Sequence, residues 1–156
     1  MRAILVVDHG STRDEANAML EHMARLVQHL AGDGIAVRYA HMELAQPSIP
    51  RGFAECVEAG ADEVIVFPYM LSPGKHSTRD IPRLVAEAGA RYPGVRYQVT
   101  PAFGVHEKLG ELILMRAGVP VAHCLDGESA DRCWDPAQSG ADGVPACGDA
   151  CRCLSK

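Results

Sequence analysis

At 156 residues the chain suits one domain, long enough to bury roughly two-thirds of its unfolded surface without staples. A composition of 47% hydrophobic and 22% charged residues excludes global disorder and collagen-like or low-complexity architectures. The net charge of −5 supplies no overall field for nucleic acid or an anionic membrane, and no apolar run approaches the roughly 20 residues of a bilayer span.

The first 116 residues alternate between two hydrophobic periods. Ala3 to Val7 is a continuous apolar run, the form of a strand buried on both faces. The run is too short for a signal-peptide core and passes straight into a polar turn. Glu15 to Leu30 repeats apolar residues at helical spacing, and Gly32-Asp33-Gly34 stops that helix. Ile35 to Ala40 reads as a second strand. Ser48 is placed to cap a helix running to Ala59, with Pro50 tolerated in its first turn. A third strand follows at Glu63 to Pro68, a helix at Ile81 to Ala90, a strand at Val95 to Val99 and a helix at Glu107 to Met115. Strands separated by helices of this length form βαβ units. The expected fold is therefore α/β: a single-domain open parallel sheet of about four strands with helices on both faces.

From Ala117 the pattern gives way to an irregular stretch of Gly, Pro, Asp and Ser that holds Cys124, Cys133, Cys147, Cys151 and Cys153. Residues 117–156 are thus expected to form a Cys-rich tail, unable to build a core of its own and ordered, if at all, by a metal. A cytoplasmic, reducing setting is expected, where clustered cysteines read as metal ligands before disulfides. The spacing is no standard zinc-ribbon pair, because C-x₂-C is absent. Cys56, alone on the second helix, reads as a small buried apolar residue.

Ligands of open parallel sheets bind beyond the carboxyl ends of the strands. The first strand exits into Asp8-His9-Gly10-Ser11, the second into His41-Met42-Glu43, and the third into Pro68 through His76. Consecutive strands thus deliver His9, Glu43 and His76 to one edge. Two imidazoles and a carboxylate suit a borderline divalent ion and leave coordination positions open. The competing reading is that these are polar loop residues making ordinary hydrogen bonds. His41 points to the same side as Glu43 if the strand continues, which makes it a spare ligand. His22 and His29, seven apart on the first helix, read as surface residues. A phosphate-binding loop, a dinucleotide fingerprint and a nucleophile elbow are all absent. His9-Gly10-Ser11-Thr12 resembles the start of histidine phosphatases, but Asp8 stands where those carry an arginine and would repel phosphate.

At Val7-Asp8-His9-Gly10-Ser11, Ala40 through Ile49, and Pro73-Gly74-Lys75-His76 through Pro82, the sequence resembles the small sirohydrochlorin chelatases, the CbiX/SirB type of class II chelatase. Phe103-Gly104-Val105-His106 is similar to a further loop of that family. The resemblance covers about residues 1–116, which delimits a chelatase domain. It implies insertion of Fe²⁺ or Co²⁺ into sirohydrochlorin, with His9, Glu43 and His76 as catalytic and metal-binding residues and His9 as proton acceptor. Substrate contacts carry over onto Gln46, Leu71, Ser72, Pro73, Gly74 and Lys75. Position 46 is commonly glutamate in the family, so one acidic contact is altered. Short members of the family pair as homodimers, and the same is expected here.

The residues agree with that chemistry. Metallation replaces two pyrrole N–H protons, and an imidazole with an unperturbed pKa of about 6.5 accepts protons near neutrality. Too many thiolates would hold the ion too tightly to release it. Sirohydrochlorin is a polycarboxylate, so local cations are required, and Lys75, Arg79, Arg13 and Arg51 lie near the predicted edge. His123-Cys124 and Ala130 to Cys133 look like the opening of the Cys-rich tail found in a cluster-bearing branch of the family. That resemblance implies a [2Fe–2S] cluster on some of the five late cysteines, although about a dozen extra residues separate Cys133 from Cys147. The rival to a chelatase is a metal-delivery or redox-sensing iron–sulfur protein without turnover.

Overall fold

A computed structural model of the chain describes residues 1–122. The five late cysteines, and with them the expected cluster, lie outside the described residues. The chain divides into two compact units, the first running from Met1 to Phe103 and the second beginning at Gly104.

The first unit is an α/β layer structure. Four strands, β1 (Arg2–Asp8), β2 (Ile35–His41), β3 (Glu63–Pro68) and β4 (Arg96–Val99), form one sheet in the order β2-β1-β3-β4. All neighbours are parallel. Helix α1 (Asp14–Ala31) connects β1 to β2, α2 (Ile49–Glu58) connects β2 to β3, and α3 (Ile81–Gly89) precedes β4. Going out from β1 to β2 and then back past β1 to β3 reverses the direction of travel across the sheet. Right-handed crossovers in opposite directions put their helices on opposite faces. That is observed. Val6, Leu20, Ala24 and Val37 form the core under α1, whereas Ala3, Leu5, Val7, Phe53, Val64, Val66 and Val85 form the core under α2 and α3. Alternate residues of β1 therefore feed alternate cores, which is why Ala3 to Val7 had to be apolar without interruption.

Close approach decides one position of α2. A methyl group on Gly52 would stand 2.8 Å from Leu5 Cδ1 and 3.0 Å from the Tyr39 carbonyl, so the helix lies on the sheet only because that side chain is missing. Phe53, the next residue, is fully buried and stacks on Tyr92 with ring centroids 5.8 Å apart. Cys56 is buried as expected, and burial pushes its thiol up to about 12.

Two expectations need correction. Ser48 occupies the residue before α2, but its hydroxyl caps nothing; the Gln46 side chain instead accepts from Ser48 N–H at 3.1 Å. The loop after β3 also contains an element that periodicity did not suggest, a π-helical turn at His76–Asp80 running directly into α3. In the second unit, α4 (Glu107–Ala117) starts where the His106 ring accepts from Lys108 N–H and stops at left-handed Gly118.

Candidate metal-handling site

The strand order puts a topological switch point between β1 and β3, where the two connections diverge and leave a crevice at the carboxyl edge. His9 lies one residue past β1, Glu43 two residues past β2, and His76 opens the π-helical turn that follows β3.

Glu43 reaches His9 because the parallel ladder continues past the strand ends. Met42 N–H donates to the Asp8 carbonyl at 2.9 Å and Glu43 N–H to the His9 carbonyl at 3.1 Å. Gly10 makes this approach feasible. Its φ of +85° turns the chain sharply, and a methyl group there would lie 1.9 Å from the Glu43 carbonyl oxygen. Side by side, His9 Nε2 and Glu43 Oε1 stand 2.8 Å apart, both about half exposed.

His76 arrives from the other side. The Ser77 hydroxyl donates to the Gly74 carbonyl at 3.1 Å and accepts from Gly74 N–H at 3.0 Å, folding the preceding loop onto the turn. The His76 Nδ1 pairs with Asp80 Oδ2 at 3.0 Å, one helical turn on. His9 and His76 meet edge to face with ring centroids 4.9 Å apart. Hydrogen bonds from the Arg79 guanidinium first, and from His76 second, hold the Asp80 carboxyl below the usual carboxylate range. A carboxylate held ionised on Nδ1 is the arrangement that fixes an imidazole's orientation and leaves Nε2 for a ligand.

The three residues read from the strand exits are thus brought to one place, with His9 in contact with both partners. Among the described residues no three His, Cys, Asp or Glu side chains stand as a finished ligand set. Two ligands held at 2.0–2.1 Å in a tetrahedron are about 3.4 Å apart, so the His9–Glu43 pair, at 2.8 Å, must open by roughly 0.6 Å to take an ion.

The remaining expected site residues divide. Leu71 to Lys75 form an exposed loop between β3 and the turn, and Leu71 is 74% exposed. Gln46 lines a separate cleft of about 310 Å³ beside the β2 exit, together with Ser11, Asn17, Tyr39 and His41. Lys75 and Arg13 are exposed and carry no ion pair among the described residues. Arg79 is held by Asp80, and Arg51 by Glu55 and Glu58 on α2. His41 is not a spare ligand. The strand ends at His41, which is 1% exposed with Nδ1 bonded to Asp8 Oδ1 at 2.6 Å. His22 and His29 are exposed, as read from the helix.

Sequence reasoning assigned no ring-holding role to the two carboxylates that hold rings here, Asp8 on His41 and Asp80 on His76. Asp80 was findable, because i and i+4 share a helix face. Asp8 was not, because its partner is set by strand register, which opposes Asp8 to His41.

Comparison with known proteins places the fold and the family. Residues 3–118 match the model of the CbiX family. A chloroplastic sirohydrochlorin ferrochelatase of Arabidopsis thaliana is 42% identical over 128 residues, 82% of this chain and 55% of that protein. A sirohydrochlorin cobaltochelatase of Saccharolobus solfataricus is 30% identical over 122 residues, 74% of this chain and 93% of that protein. The crystal structure of the sirohydrochlorin chelatase SirB from Bacillus subtilis subspecies spizizenii in complex with cobalt is similar with a TM-score of 0.69 at 29% identity, covering 75% of this chain and 50% of that one. The chain spans about half the length of the Arabidopsis and Bacillus proteins. Among the described residues no helix is long and apolar enough to cross a membrane. With the family pattern running from β1 to the end of α4, the chain belongs to the CbiX family.

Proposed function

We propose that the chain inserts a divalent metal, Fe²⁺ or Co²⁺, into sirohydrochlorin, and that His9, Glu43 and His76 perform the exchange. The observation that carries this reading is the position of His9, 2.8 Å from Glu43 and edge to face with His76 at the switch-point crevice. The names of the Arabidopsis and Saccharolobus relatives support the substrate. The ion enters as a substrate. It is held on imidazole and carboxylate, which release it to four pyrrole nitrogens more readily than thiolates would. Each metallation liberates two N–H protons, and the His9 imidazole and the Glu43 carboxylate are placed to receive one each. The exposed loop from Leu71 to Lys75 would contact the macrocycle, with Lys75 facing its carboxylates, and Gln46 would reach it from the neighbouring cleft.

Residues 1–116 form the metallating part in this reading, which the family match over 3–118 supports. A homodimer is part of the same proposal, tested by the mass of the protein in solution. So is a [2Fe–2S] cluster on the late cysteines, tested by the visible absorbance and iron content of anaerobically purified protein. The deciding assay follows the absorption spectrum of sirohydrochlorin with Fe²⁺ or Co²⁺ in the presence and absence of protein. The expected result is acceleration by the wild type and loss of most of it in His9→Ala and His76→Ala. No acceleration with either ion would refute the enzyme reading and favour metal delivery.

A further inference from the structure

One buried histidine has no place in the exchange just described. His41 is 1% exposed, its Nδ1 bonds Asp8, and its Nε2 is buried with no hydrogen-bond partner. An unpartnered buried polar atom costs on the order of 1–3 kcal/mol. A residue needed only to fill the end of the sheet would carry no such cost, and a leucine would pack there without it.

What the histidine holds explains its presence. Asp8 Oδ1 accepts two hydrogen bonds, from His41 Nδ1 at 2.6 Å and from Gly10 N–H at 2.9 Å. Because that oxygen is an acceptor for both, the imidazole donates from Nδ1. The His41 backbone N–H donates to the Pro47 carbonyl at 2.8 Å, closing the loop that carries Glu43. His41 therefore fastens two segments at once. Its ring fixes the carboxylate that shapes the His9–Gly10 turn, and its backbone anchors the 42–47 loop. The two site residues hang from these two segments.

We propose that Asp8 and His41 are a positioning pair, which holds His9 Nε2 against Glu43 so that the incoming ion meets a preset geometry. Neither residue touches the ion or the macrocycle. The proposal rests on the reading of His9 and Glu43 as the metal-handling pair, and its test separates the two. In His41→Asn the side-chain nitrogen on Cγ occupies the place of Nδ1 and can still donate to Asp8. In His41→Gln the donor sits one atom too far out, and in His41→Leu it is absent.

The measurements are kcat and KM for sirohydrochlorin with Co²⁺, together with ring-nitrogen NMR of ¹⁵N-histidine protein to follow the His9 Nε2 proton. A misplacement of about 1 Å caused by a change away from the chemistry can cost up to about 100-fold in rate. Accordingly, His41→Leu and His41→Gln should lower kcat by that factor, leave the sirohydrochlorin KM within about twofold, and displace the His9 Nε2 resonance. His41→Asn should recover kcat to within about fivefold and restore the resonance. Equal kcat and an unmoved His9 signal across wild type, Gln and Leu would overturn the proposal. If His41→Leu does not fold, the Asn and Gln variants carry the test, and equal behaviour of those two refutes it. A wild type that fails to metallate sirohydrochlorin, while the His9 resonance still shifts in Gln and returns in Asn, would refute the chelatase reading and leave the positioning pair standing.

Discussion

Gly10→Ala probes whether the close approach of the β1 and β2 exits builds the site. The substitution has two costs. Holding an L-residue at φ +85° costs roughly 1–2 kcal/mol. The added methyl group would also start 1.9 Å from the Glu43 carbonyl oxygen, so that oxygen must retreat by about 1 Å to reach even 3.0 Å. Overpacking of this kind costs about 1–3 kcal/mol. Together these give about 2–5 kcal/mol, or roughly 10–20 °C in the melting temperature of a unit of about 100 residues. Gly32→Ala is a control free of the clash, with φ of +72°, ψ of −167° and no atom within 4 Å of the new methyl, so only a conformational cost of about 1–3 kcal/mol applies. The retreat also pulls on the bond from Glu43 N–H to the His9 carbonyl and parts the two side chains, and a misplacement of about 1 Å can cost on the order of 100-fold in rate. Thermal melts by circular dichroism and the sirohydrochlorin assay at a permissive temperature read the two effects. If Gly10→Ala melts together with Gly32→Ala, or keeps full turnover, the account of this contact is wrong.

Three further outcomes are expected. Lys75→Ala should raise the sirohydrochlorin KM several-fold, while Arg51→Ala, whose guanidinium is occupied by Glu55 and Glu58, should leave it unchanged; equal KM values for both variants would remove Lys75 from substrate binding. Cys56, with its thiol pushed up to about 12, is about one part in 10⁴ thiolate at pH 8, so peptide mapping should find it unlabelled by a thiol reagent in native buffer and labelled in denaturant. Rapid native labelling would contradict the burial. Asp80 has a folded pKa below its unfolded value, so its contribution to stability is complete above about pH 4 and is lost as pH falls through the lower folded value. Asp80→Asn should accordingly be less stable than wild type in urea melts at pH 7, with the deficit shrinking as pH falls below about 4. A deficit that persists undiminished in acid would show that packing, and not the carboxylate charge, is responsible.

By itself the sequence determined the fold class, the order of its elements and the three residues at the strand exits. Each of these depends on local information. A buried parallel strand is apolar at every position, as Ala3 to Val7 shows, and an amphipathic helix repeats its apolar residues every three or four, as from Ala16 to Leu30. Position after a strand end is also a local property, so His9 and Glu43, one and two residues past their strands, and His76, in the connection after β3, could be named without coordinates. Only the tertiary structure decided which of them touch. The 2.8 Å contact of His9 with Glu43 depends on β1 and β2 continuing their ladder past Asp8, and on a glycine that leaves room for a carbonyl. The fate of His41 was decided in the same way. By spacing it was a neighbour of Glu43 and a spare ligand, but register places it opposite Asp8, and burial turns the ring inward onto that carboxylate. Arg51 and Lys75 were both offered by the sequence as cations near the edge; helical geometry gave Arg51 acidic partners in Glu55 and Glu58, and Lys75 has none among the described residues. Periodicity reports which side of an element is wet, whereas register and close approach report what stands against it, and the chemistry of this site lies in the second.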